Sequence, residues 1–471
     1  MPANPNYEGV LPAAPEMFSR WAAFQTWWDR SNKEKAQIAE ARLLTRMQFF
    51  SFKGVNPSGS TEQSATTARV GLVELSGKNR AINTLIIQNR SPSKPSEETL
   101  AKASDDTLSS QQETGVADDQ GRTPFAQTKL DIKVVDSEGD SMIDPPAPGE
   151  KVLVMCHGYG AGLGFFFRNY LSLSQLPGYK IYAIDWLGMG GSSRPEFNFK
   201  HSPKTPVNDV VKQAENFFLD ALEEWREKQQ IEKMTLLGHS LGGYLSAVYA
   251  LKYPDRVEKL ILVSPAGIPE SPEAGKAPLP PPPTQTQSEP SSRPSSPTGS
   301  EGSNGPQQPR QGPPGWLRRL AIFSWERNIT PQSIMRFVGP LGPSLVASYT
   351  SRRFAHLEED EQKDLNSYIY HISSKSGSGE YALSTILAPG AYARWPLMDR
   401  LKDLAMPTVF MYGVQDWMDW RAGEKARRGM TVPTAMIRVP EAGHHLYLDN
   451  PPAFDKAVIQ AITRPWDGNS A

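Results

Sequence analysis

The sequence predicts an α/β fold: a mostly parallel, doubly wound sheet with a helical insertion and three tracts that stay disordered. Three observations predict it. Short runs that are apolar at every position recur along the chain, as expected of strands covered by helices on both faces. Stretches with apolar residues at helical spacing lie between them. One late stretch breaks the alternation and carries helical spacing with many aromatics but no strand run.

The chain has 471 residues, more than one compact core usually needs. Its formal net charge of −1 provides no global field for nucleic acid or an anionic membrane, so any such attraction must be local. No apolar run reaches transmembrane length, and the N-terminus lacks the basic-then-apolar pattern of a secretory signal. A single cysteine, Cys156, excludes an internal disulfide framework and fits a reducing, intracellular compartment. It sits in the run Val152-Leu153-Val154-Met155-Cys156 and reads as a buried strand residue, with a nucleophilic thiol as the other reading.

Residues 1–67 read as an N-terminal aromatic and basic segment with a flexible linker. Trp21, Trp27, Trp28, Phe49, Phe50 and Phe52 flank a stretch carrying Lys33, Lys35, Arg42 and Arg46. Such a mixture suits a membrane interface, and equally a helix packed on the domain. Residues 68–471 form the main domain. Val70 to Leu75 and Ile82 to Ile87 predict two antiparallel strands, and Leu130 to Val135 a third. The apolar runs from Val152, Ile181, Met234, Leu260, Thr408 and Ala435 complete the sheet. Val207 to Glu227 predicts a long amphipathic helix, and Leu241 to Lys252 one that Pro254 ends. The tracts 54–67, 88–128 and 268–313 are rich in Ser, Gly, Gln, Pro and charge, and they lack the apolar surface to offset chain entropy. Residues 314–400 predict a helical lid, or an ordinary helical subdomain of the same shape.

The strongest chemical motif is Gly238-His239-Ser240-Leu241-Gly242. It follows an apolar strand and opens a helix, the setting of a nucleophilic serine on a strand-to-helix turn that the glycines permit. The helix starting at Leu241 aims its amides at the same place. Of the seven histidines, four follow the serine: His356, His371, His444 and His445. The first two fall in the helical insertion. His444, directly after Gly443 in the loop beyond the last strand, is the predicted base; His445 is its packing neighbour. The predicted acid is Asp416, three residues past Gly413, with Asp419 in reserve; either could merely cap a turn. The oxyanion requires two backbone donors. They are predicted at Leu241 and, after the strand ending at Cys156, at Tyr159 in His157-Gly158-Tyr159-Gly160-Ala161-Gly162. The loop Asp185 to Pro195 lacks the lysine and spacing of a phosphate loop and reads as structural. No metal cluster or cofactor motif stands out, so none is expected.

From Met155 to Pro451 the chain resembles one branch of the α/β-hydrolases. This branch holds cardiolipin-specific deacylases, lysophosphatidic acid acyltransferases, N-acyl phospholipid lipases and the lipid-droplet lipase coactivator. The marks are Gly158 to Gly164, the Asp185 to Pro195 loop and Gly238 to Gly243. Further marks are Arg336 to Pro340, Arg353-Phe354, Asp416 to Asp419 and Gly443 to Asp449, together with the Trp27-Trp28 start. The resemblance implies an α/β-hydrolase fold and a phospholipid or lysophospholipid substrate met at a membrane surface, with mitochondrion, lipid droplet or cytosol as locations. Coactivator members lack the serine; this chain keeps Ser240, which favours an enzyme over a silent lipid-surface scaffold. A soluble-substrate esterase is a further reading. His444 and Asp449 also form the HxxxxD spacing associated with acyl transfer in the branch. Hydrolysis and acyl transfer share their first half-reaction, so the acyl acceptor stays open.

Overall fold

A computed structural model describes residues 13–14, 19–29, 31–47, 66–89, 142–197, 202, 204–270 and 315–464. The predicted strand at 130–135, the aromatic trio Phe49, Phe50 and Phe52, and most of the three low-complexity tracts lie outside these residues.

The chain begins with α1 (Arg20–Trp28) and α2 (Lys33–Leu44), capped by the side chains of Ser19 and Asn32. Strands β1 (Thr66–Glu74) and β2 (Ala81–Asn89) form an antiparallel pair, as predicted. Their outer ends reach Thr66 and Asn89, inside the tracts predicted to stay unfolded. The cause is pairing: Thr66 and Thr67 are polar but β-branched, and they sit opposite Asn89 and Gln88. Then come β3 (Lys151–Cys156), α3 (Tyr170–Leu173), β4 (Tyr179–Ile184), α4 (Val207–Lys228), β5 (Met234–His239), α5 (Leu241–Lys252) and β6 (Val257–Val263).

The inserted region contains α6 (Gly315–Glu326), α7 (Pro331–Phe337), α8 (Gly342–Arg353), α9 (Glu359–Ser374) and α10 (Glu380–Ile386). It also holds a short hairpin, β7 (Leu387–Ala388) with β8 (Tyr392–Ala393), that helical periodicity did not announce. The chain returns to the sheet with β9 (Thr408–Gly413), α11 (Trp420–Arg428), β10 (Thr434–Val439), α12 (Leu446–Asp449) and α13 (Pro451–Thr463).

Among the described residues the main sheet has eight strands in the order β1-β2-β4-β3-β5-β6-β9-β10. Strands β4, β3, β5, β6, β9 and β10 run parallel, and β1 and β2 alternate in direction at one edge. The all-apolar strand runs are explained by two separate cores. Leu153, Met155, Ala183, Leu237, Ile261 and Met411 face one core. Their immediate neighbours Val154, Tyr182, Leu236, Leu262 and Phe410 face the other. Each full burial of such an aliphatic side chain contributes about 1.5–3 kcal/mol. The sheet thereby becomes a rigid plate, with strand ends that can carry chemistry.

The N-terminal helices divide the two readings of their segment. Ala36, Ile38, Ala39, Ala41, Leu43 and Leu44 bury α2 against the domain. Trp21 and Trp28 of α1 remain 68% exposed.

Candidate active site

The chain leaves β5 at His239 and enters α5 at Leu241, so Ser240 alone makes the turn. Its backbone takes φ 54° and ψ −115°, a conformation L-residues avoid. Three bonds hold it there. The Ser240 amide donates to the Val263 carbonyl at 2.9 Å, and the Ser240 carbonyl accepts from Tyr244 and Ala266 amides, each at 3.1 Å. The flanking glycines serve close approach, since the strained turn is borne by the serine. A Cβ at Gly238 would lie 2.3 Å from the Gly242 carbonyl oxygen, and one at Gly242 would lie 2.5 Å from that of His157.

The structure brings Ser240, His444 and Asp416 together across 204 residues of sequence. Ser240 Oγ lies 3.0 Å from His444 Nε2, in position to donate its proton. His444 Nδ1 faces Asp416 Oδ1 at 3.1 Å and Oδ2 at 3.4 Å. Burial pushes the Asp416 carboxyl up, but hydrogen bonds from His444, the Met418 amide and Ser264 outweigh it and hold the group below the usual range. An ionised Asp416 in this position would fix the imidazole tautomer and stabilise its protonated form. Asp419 stands apart: it is exposed and caps α11 by accepting from the Arg421 amide at 3.0 Å. His356 and His371 also lie elsewhere. His356 donates to the Leu448 carbonyl at 3.0 Å, and His371 meets Ser31 at 2.8 Å.

His445 is half-buried beside His444, and its ring meets Arg353, Phe165 and Phe354. Burial drives its pKa well down, with neighbouring His239 and His444 adding to the effect. The neutral ring accepts from Arg353 at Nδ1, at 2.9 Å. Asp449, the second half of the HxxxxD spacing, accepts from the Gly443 amide at 2.9 Å and from Arg353 at 3.2 Å. It orders the histidine loop and does not touch His444.

Tyr159 and Leu241 both line the cavity at Ser240, and among the described residues neither backbone amide donates a hydrogen bond. The cavity holds about 440 Å³ and is lined by Trp325, Leu387, Trp417 and Met418, along with the histidine and serine loops. Cys156 is fully buried, and burial pushes its thiol up, so it is inert as a nucleophile.

Three supports gave little sequence signal. Ser264, at the end of β6 with φ 44°, donates from Oγ to Asp416. His239 Nε2 donates to the His444 carbonyl at 2.8 Å, which ties the nucleophile loop to the base loop. The third is a buried polar node under the Tyr159 loop. Asp185 Oδ1 accepts from the Leu163 amide and Oδ2 from the Gly191 amide, each at 2.6 Å. Asn83 Nδ2 donates to Asp185 at 2.9 Å and to Glu40 of α2 at 3.0 Å.

Glu40 makes stability pH-dependent. Burial, then Asp185, pushes its pKa from the usual 4.5 to about 8, while Asn83, Lys375 and Tyr368 pull the other way. The folded chain therefore keeps this proton between pH 4.5 and 8, where the unfolded chain has lost it. The associated stability is fully present below pH 4.5 and is lost as pH rises to about 8. Lys375, facing Glu40, is lowered to about 8 by burial and then Arg194, and gives the opposite slope above that pH. His157, His239, His371 and His445, whose pKa values desolvation lowers, oppose the Glu40 slope in the acid range. The difference between wild type and Glu40→Gln isolates the carboxyl. Melting curves from pH 5 to 8 should show wild type losing on the order of a few kcal/mol relative to the variant. Parallel curves would refute the assignment.

A profile described as alpha/beta hydrolase fold matches residues 151–451. A 1-acylglycerol-3-phosphate O-acyltransferase of Arabidopsis thaliana is 40% identical over 67% of this chain and 67% of its own length. A probable 1-acylglycerol-3-phosphate O-acyltransferase of Oryza sativa subsp. japonica is 39% identical over 67% of this chain and 68% of its own. A human (lyso)-N-acylphosphatidylethanolamine lipase is 34% identical over 68% of this chain and 81% of its own.

Proposed function

Because the chain belongs to the α/β-hydrolase fold family, in its lipid-acting branch, we propose that it deacylates phospholipids at a membrane surface through an acyl-enzyme on Ser240. The observation that carries this reading is the unbroken Ser240–His444–Asp416 hydrogen-bond chain opening on an apolar cavity. Ser240 Oγ attacks the ester carbonyl as His444 Nε2 takes its proton. The carbonyl oxygen becomes an oxyanion held by the Leu241 and Tyr159 amides. The intermediate collapses, His444 returns the proton to the departing alcohol oxygen, and the acyl group stays on Ser240. Water, deprotonated by His444, then releases the fatty acid. Cardiolipin and lysophospholipids are the substrates we favour.

A second reading replaces that water with the hydroxyl of a lysolipid, making the enzyme a lysophosphatidic acid acyltransferase. The names of the two plant relatives favour it. In either case residues 314–400 act as the lid. Phe337 is 86% exposed, and with Leu341, Leu345 and Trp417, the last of which lines the cavity, it offers apolar surface for contact with lipid. Among the described residues no helix is long and apolar enough to cross a membrane. We therefore favour peripheral attachment, at a mitochondrial membrane by family resemblance.

A fluorophosphonate probe tests the acyl-enzyme. Wild type should label on Ser240, and Ser240→Ala should not label. A wild-type protein that resists the probe while folded would leave only the scaffold reading. Lipid extracts from cells carrying Ser240→Ala should accumulate the substrate.

A further inference from the structure

The walls beside Ser240 combine apolar side chains with tyrosine and histidine rings, and among the described residues they carry one permanently charged group. It is the Arg353 guanidinium, at the last position of α8. A cation beside an apolar cavity is costly unless it is paired. Asp449 accepts from Nη1 and from Nη2, both at 3.2 Å, and His445 Nδ1 accepts from Nη2 at 2.9 Å.

This pairing leaves donors over. A guanidinium carries five N–H groups in a planar fork. Among the described residues the Arg353 Nε has no hydrogen-bond partner, and 27% of the side chain remains open. Asp449 is itself shared, since it also accepts from the Gly443 amide at 2.9 Å and has His356 Nε2 3.7 Å away. The ion pair therefore works as a clamp. It holds the fork in one orientation along the cavity wall and reduces the ordering cost when a ligand arrives. Phosphate oxygens, two of which can accept from one planar fork at once, are the partner that such a guanidinium fits.

We propose that Arg353 is the head-group subsite of this cavity and takes the phosphate of an acylglycerol. The inference rests on the reading of Ser240 as the acylation centre, because it assigns the far end of the same substrate. Two lipids carry that phosphate chemistry: a phospholipid acting as acyl donor, or a lysophospholipid acting as acyl acceptor.

Calorimetric binding to the full-length chain separates these cases. The probes are dioctanoyl phosphatidic acid, octanoyl lysophosphatidic acid, and the matching dioctanoyl- and monooctanoylglycerols, all below their micelle concentrations. Wild type should bind a phosphate-bearing lipid roughly tenfold more tightly than its neutral counterpart. Arg353→Gln should bring the ratio near one, and Arg353→Lys should keep part of it. Preference for phosphatidic acid assigns the subsite to the donor, and preference for lysophosphatidic acid assigns it to the acceptor. Equal affinities in wild type, or an undiminished ratio in Arg353→Gln, overturn the proposal. If Arg353→Gln fails to fold, the wild-type ratio and Arg353→Lys carry the test. Fluorophosphonate labelling in parallel keeps the two ideas apart. Labelling without head-group preference defeats the subsite alone, and preference without labelling defeats the acyl-enzyme alone.

Discussion

Replacing His444 with Ala should lower ester turnover by a factor on the order of 10⁴ to 10⁶, while His445→Gln should stay within about tenfold of wild type. The contrast follows from geometry. His444 is the imidazole within proton-transfer distance of Ser240, at 3.0 Å, and without it the hydroxyl has no base. His445 meets Arg353 and packs against Phe165 and Phe354, so its loss is felt as packing and loop order. Combining Ser240→Ala with His444→Ala should cost little more than either change alone, because the two groups act as a unit. Steady-state kinetics on a short soluble ester, with a melting curve for each variant, supplies the comparison. Equal losses at His444 and His445 would mean that the base is misassigned.

The second large effect separates the two aspartates. Asp416→Asn should reduce turnover by about 10⁴, because an amide can no longer hold the imidazole in the tautomer that accepts the serine proton. Asp419→Asn should be nearly silent, since Asn caps a helix about as well as Asp. The same kinetics distinguish them, and a severe defect in Asp419→Asn would exchange the roles. Ser264→Ala leaves the His444 contact in place and removes one donor to Asp416, so a much smaller loss is expected there.

These assignments show which features the sequence carried plainly. The strands were legible because their runs are apolar on both faces, and the proposed nucleophile Ser240 because the close packing around its turn requires glycine at 238 and 242. His444 and Asp416 were legible through their place after strands, but their immediate neighbours competed on equal local terms. Only the fold shows that Asp419 caps a helix and that His445 turns inward. The supports were harder to see. Ser264, Glu40, Asn83 and Arg353 act through partners 152, 43, 102 and 96 residues away, and no local period records such distances. The outer ends of β1 and β2 were missed because polar, β-branched residues form strands when a partner strand supplies the hydrogen bonds.

The strand order has a further consequence, for synthesis. Ser240 and the Tyr159 loop lie at the ends of the central strands β5 and β3, while Asp416 and His444 follow β9 and β10 at the far edge. Both proposed partners of the serine, Asp416 and His444, are thus translated after the helical insertion. A chain still emerging from the ribosome presents a serine elbow with no base to activate it. On the proposed mechanism, a product truncated before Asp416 would carry the serine turn without its base and would not form an acyl-enzyme.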